Sequence, residues 1–388
     1  MSNENNAPFS TQSNRIIGIV EGFVQSPTVI ILAGIHGNEK AGVKAAKKII
    51  HKIREDSVPF EGNLYMILGN INALEKGIRY ESSDLNRIWK QENIEAIKGD
   101  SIILDAEAKE QIEIYGYIKE ILRTNSGPFY FLDLHTTSSA TIPFITISDS
   151  LNNRKFSSNF SVPIVLGIEE YLDGPLLTYI NEFGHVALGF EGGEHHDKES
   201  ILKCEAFIWL ALVYSNCIKK KNLPEFKQYK NELSEKYFKN VFFEIIYKYT
   251  IKKDEKFKMH KGFKNFEPIS RHHSLAQSDG GEITASESGR IFMPLYQNLG
   301  DDGYFILNKV SMFWLKTSLV VRKVKINHFL RLIPGVKIDP QHRHGLIVDP
   351  KIAKYMAKDI FHLFGYRKQV FKNGKLYFTK RDRRVTPL

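Results

Sequence analysis

His36 and Glu39, three residues apart in Ile35-His36-Gly37-Asn38-Glu39, and His135, which closes Phe131-Leu132-Asp133-Leu134-His135, are the residues of this chain best suited to chemistry. Two imidazole nitrogens and one carboxylate form a ligand set for a catalytic zinc ion, Zn2+, one per chain. Three protein ligands leave the fourth position of a tetrahedral ion open to water, so the set implies hydrolysis. In a chain with 13 histidines, a lone H-x-x-E would otherwise read as a capping histidine and a solvated acid. Position changes that balance. Thr28 to Ala33 is a β-branched run ended by Gly34, and Ala41 to Ile53 has helical spacing, so the pair lies on a strand-to-helix turn. His135 also ends an apolar run, and ligands in open α/β sheets gather beyond the carboxyl ends of strands.

Two more clusters fall in with these. Arg79-Tyr80-Glu81-Ser82-Ser83-Asp84-Leu85-Asn86-Arg87 is a polar loop whose two arginines offer forked donors for a carboxylate or an oxyanion. Read alone, it is equally well a solvated basic loop. Glu191 follows the apolar run Val186 to Phe190, which puts another acid at a strand end, where beside a zinc ion it would serve as general base. Glu194, His195 and His196 read either as part of the site or as a polar loop before the helix that begins near Asp197.

The order G-x-H-G-N-E, R-x-x-x-x-D-L-N-R, D-L-H-x-T and then Glu-Gly after an apolar strand resembles the succinylglutamate desuccinylase and aspartoacylase family, a branch of the zinc carboxypeptidase fold. The likeness runs from about Thr28 to about Gly193, with a weaker echo at Gly280 to Ile283 and Met293 to Gly303. It implies that His36, Glu39 and His135 are zinc ligands and Glu191 the catalytic acid-base. It also implies that Arg79 polarises the scissile carbonyl, that Asn86 and Arg87 hold a substrate carboxylate, and that Asp84 orients a ligand histidine. Tyr304 falls where the family has a substrate-contacting tyrosine. One position departs: aspartoacylase-type members carry an arginine ten residues before the catalytic Glu, and here that residue is Asn181. A second substrate carboxylate should therefore be read weakly.

The elements that must position these residues are legible at coarse scale. Apolar strand-like runs at 16–20, 28–33, 64–68, 129–134, 142–147, 163–167 and 185–190 alternate with helical patterns at 40–54, 105–124, 173–183 and 197–221. That alternation predicts an α/β fold, a mixed sheet covered by helices. The expected organisation is a disordered N-terminus (1–14), a zinc-binding catalytic α/β domain (15–235), a small β domain (236–310) and a basic, partly helical C-terminal extension (311–388). A charge-rich linker, Lys219 to Lys230 with Pro224, separates the second from the third.

Composition is ordinary for a soluble protein, with 42% hydrophobic and 25% charged residues. The polar opening Met-Ser-Asn-Glu lacks the features of a signal peptide, and the longest apolar stretch, Ala206 to Tyr214, is far short of the roughly 20 residues of a membrane span. Cys204 and Cys217, both placed on one helix, lie on different faces and cannot pair within it. A cytoplasmic location is expected. The net charge of +10 is contributed by the C-terminal segment, where Lys316 to Leu388 holds 18 Lys+Arg against 4 Asp+Glu. The pattern Phe313-Trp314-Leu315-Lys316 through Phe329-Leu330-Arg331 could lie on an anionic membrane surface, and Lys380-Arg381-Asp382-Arg383-Arg384 could touch nucleic acid. A solvated face with a frayed tail explains the same charge more simply, and a basic border to the cleft would steer anionic substrates.

The residues predict zinc-dependent hydrolysis of an amide or ester bond, and the resemblance implies that the substrate is a small N-acyl amino acid or related metabolite. The rival enzyme is a carboxypeptidase acting on peptides. The rival of another class is a catalytically silent fold whose basic segment is the working surface.

Overall fold

A computed structural model describes residues 14–98, 105–235, 238–239, 241–324, 330, 332–340, 345–352 and 357–388. Its strands are β1 (Ile16–Glu21), β2 (Thr28–Ala33), β3 (Asn63–Leu68), β4 (Phe129–Thr137), β5 (Phe144–Ile147), β6 (Ile164–Leu166), β7 (Val186–Glu194), β8 (Phe242–Thr250), β9 (Lys258–Met259), β10 (Pro268–Ile269), β11 (Ser274–Ser278), β12 (Gly281–Thr284), β13 (Gly289–Phe292) and β14 (Asp302–Lys309). Its helices are α1 (Lys40–Glu55), α2 (Ile71–Lys76), α3 (Gln91–Lys98), α4 (Ala106–Thr124), α5 (Leu151–Ser157), α6 (Leu176–Glu182), α7 (Glu199–Tyr214), α8 (Phe226–Glu232), α9 (Met312–Val324) and α10 (Ala357–Leu363).

One mixed sheet of 11 strands organises the molecule, in the order β1-β3-β2-β4-β7-β5-β6-β8-β14-β13-β10. Its centre is parallel, β3-β2-β4-β7, and both faces are covered, as near-continuous apolar runs require. Val29, Ile31 and Ala33 of β2 pack into one core with α1 and α7, while Ile30 and Leu32 pack into another with α4 and α6. The parallel strands end together, which brings the turn after β2 beside the ends of β4 and β7.

The segment expected as a small β domain is continuous with this sheet. Strands β8, β14, β13 and β10 extend it, while β9, β11 and β12 form a three-stranded sheet of their own. The expected linker is also structured. It holds a 3-10 turn at Lys220–Asn222 and then α8, whose Phe226 is buried against Tyr214. The helix read as 197–221 ends at Tyr214, so Cys217 lies beyond it. Cys204 and Cys217 are both buried free thiols.

The C-terminal extension holds more than helix: it includes a four-stranded antiparallel sheet of β15 (Val336–Ile338), β16 (Gly345–Val348), β17 (Tyr366–Lys372) and β18 (Lys375–Lys380), with its own core around Leu346, Phe361 and Phe378. Helix α9 buries Leu315, Ser318 and Arg322 and exposes Phe313, Trp314, Val320 and Val324; the rest of that predicted helical pattern falls mostly outside the described residues. The first 13 positions also lie outside them. The basic tail is held against the rest of the chain at several points, with Arg384 left exposed. Arg381 is buried with Nε 3.4 Å from Glu169, Asp382 accepts from Leu151 N, and Thr386 N donates to Phe183 O. Among the described residues no helix is long and apolar enough to cross a membrane.

Candidate active site and metal centre

The turn after β2 is shaped by glycine. Gly34 has φ +77°, and a Cβ at Gly37 would overlap the Ala73 carbonyl, so the chain runs against α2 and turns back into α1. Glu39 is the residue before α1, yet its side chain makes no cap. It turns inward instead: Oε1 lies 2.8 Å from His36 Nδ1, Oε2 lies 2.9 Å from His135 Nδ1, and Oε2 also accepts from Thr136 N. The three side chains are buried, and their ligand atoms all lie within 4.8 Å of one another.

Each imidazole is held from its far side. Asp84 Oδ1 lies 3.0 Å from His36 Nε2, and Asp133 Oδ2 lies 2.7 Å from His135 Nε2. Both Nδ1 atoms are thereby aimed at one point, as carboxylate–histidine pairs do around metals. The first of these partners is legible in the sequence. Asp133 is not singled out there, although its i, i+2 spacing from His135 on one strand is the signal that could have found it, since alternate residues share a face.

Strand pairing sets Glu191 of β7 directly beside His135 of β4. Glu191 is buried and its Oε2 has no hydrogen-bond partner. Burial, reinforced by Glu39 and Asp133, pushes its carboxyl up to about 8 against the pull of His135 and Arg79. Glu39 is also desolvated, but His36 and His135 hold it well below the usual carboxylate range.

Arg79 and Asp84 are placed by the loop between them, whose amides at Glu81, Ser82 and Ser83 donate to the carboxylate of Glu107 at 2.7, 3.0 and 3.1 Å. Arg79 Nη2 bonds Asp84 Oδ2 at 2.9 Å, while its buried Nε has no partner. Around the two histidines lie the carboxyl groups of Glu39, Asp84, Asp133 and Glu191, with the Arg79 guanidinium against Asp84 and Glu39 and Arg87 farther along the cleft. That excess of buried negative charge, with two Nδ1 atoms and a carboxylate converging, fits a divalent cation; His36, Glu39 and His135 would hold it.

A cleft of about 460 Å³ opens over this group, lined also by Asn86, Arg87, His195, Lys248 and Asp302. Asn86 Oδ1 accepts from Leu176 N, and Arg87 Nη2 pairs with Asp302 at 3.0 Å. His195 joins the cleft through Thr136 Oγ1, 2.8 Å from its Nδ1, whereas His196 is exposed. Gln297, on the loop before β14, bonds Asn38 at 3.2 Å and closes one side of the opening.

Tyr304 is the correction. It is fully buried among Met259, Ile269 and Ile306 and does not line the cleft. The pairing of β14 with β8 shifts register between Asp302 and Tyr304, so the bulge leaves Asp302 and Phe305 on the cleft and sends Tyr304 into the core. Asn181 is likewise buried away from the cleft, donating to His185 O.

A mixed sheet covered by helices, with a histidine–glutamate–histidine group at its parallel strand ends, defines a zinc carboxypeptidase-like fold. Residues 25–201 match the sequence model of the succinylglutamate desuccinylase/aspartoacylase catalytic domain, so this part of the chain is similar to that family. A succinylglutamate desuccinylase of Yersinia pestis (strain Pestoides F) is 35% identical over 74 residues, 19% of this chain and 22% of that protein's length. The crystal structure of the Vibrio parahaemolyticus succinylglutamate desuccinylase superposes with a TM-score of 0.57 at 14% identity, covering 76% of this chain and 86% of that one. A succinylglutamate desuccinylase/aspartoacylase structure from Rhodobacter sphaeroides gives 0.57 at 14% identity, covering 76% and 88%. At such identities the structural likeness speaks for the fold.

Proposed function

We propose that this protein is a zinc-dependent hydrolase that cleaves the amide, or ester, bond of a small N-acyl amino acid or related acylated metabolite. The observation that carries the reading is the buried, unpartnered Glu191 Oε2, set one strand over from His135 and beside the unpartnered Arg79 Nε. A buried acceptor and a buried donor left open on one cleft cost stability unless a ligand fills them.

His36, Glu39 and His135 would hold the zinc ion, which would supply Lewis acidity and make water a nucleophile near neutral pH. Glu191 takes the proton of the attacking water at Oε2 and returns it to the leaving nitrogen, a task suited to a carboxyl poised near neutrality. Arg79 donates from Nε to the carbonyl oxygen as charge grows there. Asp84 and Asp133 keep the two rings oriented. Asn86 and Arg87 hold the substrate carboxylate farther along the cleft. The Asn38–Gln297 bond and the chain from Met293 to Asp302 narrow the opening, which favours small acyl substrates over peptides. Two buried free thiols support the cytoplasm as its compartment.

The test is a mass-spectrometric screen of the zinc-loaded protein against N-acyl amino acids, simple esters and short peptides. Turnover of the first class is expected. Release of C-terminal residues from peptides would move the protein to the carboxypeptidases, and turnover of nothing would remove the enzyme reading.

A further inference from the structure

The cation that family likeness leads one to expect at position 181 is absent, yet the cleft contains one that the sequence did not point to. Lys248 lies on β8 and lines the cleft, with Nζ 2.8 Å from Tyr171 O. The same ammonium lies 2.6 Å from Asp302 Oδ1, while Asp302 Oδ2 lies 3.0 Å from Arg87 Nη2. One internal carboxylate therefore bridges two cleft cations. The three side chains are 18 to 29% exposed, so this charge is partly shielded from solvent. Nearby, Lys90 is paired with Asp173 at 2.6 Å, and the latter is 84% exposed.

We propose that Asp302 is the specificity-determining residue of the cleft. Its carboxylate fills the place of a second substrate carboxylate, so the cleft accepts N-acyl amino acids bearing one carboxylate and rejects diacids. This inference rests on the proposed function for the identity of the substrate, though not for the charge argument. Arg87 and Lys248 together carry two positive charges and Asp302 cancels one, which leaves the complement of a single carboxylate. Donors remain for that anion. A guanidinium has five N–H groups, and Arg87 places two, on Asp302 and on Asn86 O. An ammonium has three, and Lys248 places two. A diacid would have to bring its second carboxylate against Asp302, and like charges at such range repel strongly where water is scarce. The bulge at the start of β14 is what sets Asp302 here.

Removing the charge without the shape tests this. In Asp302→Asn the ratio of kcat/KM for N-acetylaspartate over N-acetylalanine is expected to rise about tenfold or more, the worth of one charge-assisted hydrogen bond. Lys248→Met should lower the ratio and weaken the monoacid as well. Calorimetry with succinate and propionate on both variants gives a readout independent of turnover. A selective gain for succinate in Asp302→Asn supports the assignment even if no N-acyl amino acid is hydrolysed, an outcome that would sink only the proposed function. An unchanged ratio, or binding of neither anion to wild type and variant, overturns it.

Discussion

Two buried clusters of charge flank the main sheet, and they are balanced in opposite ways. In the cleft, four carboxylates crowd around two histidines and one arginine, and Glu191 Oε2 and Arg79 Nε are left without partners. Against the four-stranded sheet, Asp149 at the end of β5 is surrounded by three arginines: Arg154, Arg322 and Arg367. Arg367 Nη2 lies 2.6 Å from Asp149 Oδ2 and Arg322 Nη2 lies 3.0 Å from it, and both arginines are buried. Burial opposes ionisation of Asp149, but the arginines hold it well below the usual carboxylate range. The comparison separates two uses of buried charge. Where opposite signs are matched by the chain itself, the cluster fastens one segment to another; where one sign is in excess around open atoms, it awaits a ligand. The fastening also reaches the cleft wall. Arg381 and Arg367 pair with Glu169 and Glu170, which precede Tyr171, the residue whose carbonyl holds Lys248.

The comparison breaks most sharply on metal. His135→Ala should lose bound zinc and, with it, several kcal/mol of transition-state stabilisation, roughly a thousandfold in rate. Elemental analysis with turnover measures both, and equal stoichiometric zinc in variant and wild type would place the site elsewhere. Asp149→Asn should leave zinc content unchanged and instead destabilise the fold by about 3–5 kcal/mol, because two buried arginines and the half-buried Arg154 lose their shared partner. Thermal and urea unfolding measure that. If activity falls with no loss of stability, the two clusters are not distinct in kind. Arg79→Ala comes next, with a fall in kcat of about a hundred- to a thousandfold and KM little changed, as expected for a donor used chiefly in the transition state. A rise in KM alone would make Arg79 a substrate-binding group.

The same contrast explains what could be read from the sequence. His36, Glu39, His135 and Glu191 stand out in the sequence because the first two lie on the turn after an apolar run and the other two close one, and parallel strands ending together bring such residues to one edge. Asp133 is hidden in the sequence because its apolar neighbours in Phe131-Leu132-Asp133-Leu134 make the run read as core. Lys248 and Asp302 could not be paired from sequence, since they meet through the antiparallel contact of β8 with β14 and a bulge that alters its alternation. That bulge also misplaces Tyr304. In the C-terminal segment, charge concealed structure: Arg322, Arg367 and Arg381 read as solvated because their acidic partners, Asp149, Glu169 and Glu170, lie 173 to 218 positions earlier in the chain.

The smallest effect is the most specific to the cleft. In the metal-free protein Glu191 binds its proton more tightly than in the unfolded chain, with a folded pKa of about 8 against an ordinary value of 4.5. Between those two values the unfolded state has released a proton that the folded state still holds, so the folded state loses ground as pH rises and the loss is complete above the folded pKa. Glu191→Gln lacks the titration. Its melting temperature in the presence of a chelator should therefore match wild type near pH 4.5 and exceed it by a growing margin toward pH 8, while Asp149→Asn shows no such trend across that window. Zinc should shrink the margin, since a cation beside Glu191 lowers the cost of ionising it. Parallel melting curves for metal-free wild type and Glu191→Gln from pH 5 to 8 would show that burial in the cleft does not store a proton on this carboxyl, and the contrast with Asp149 would then rest on geometry alone.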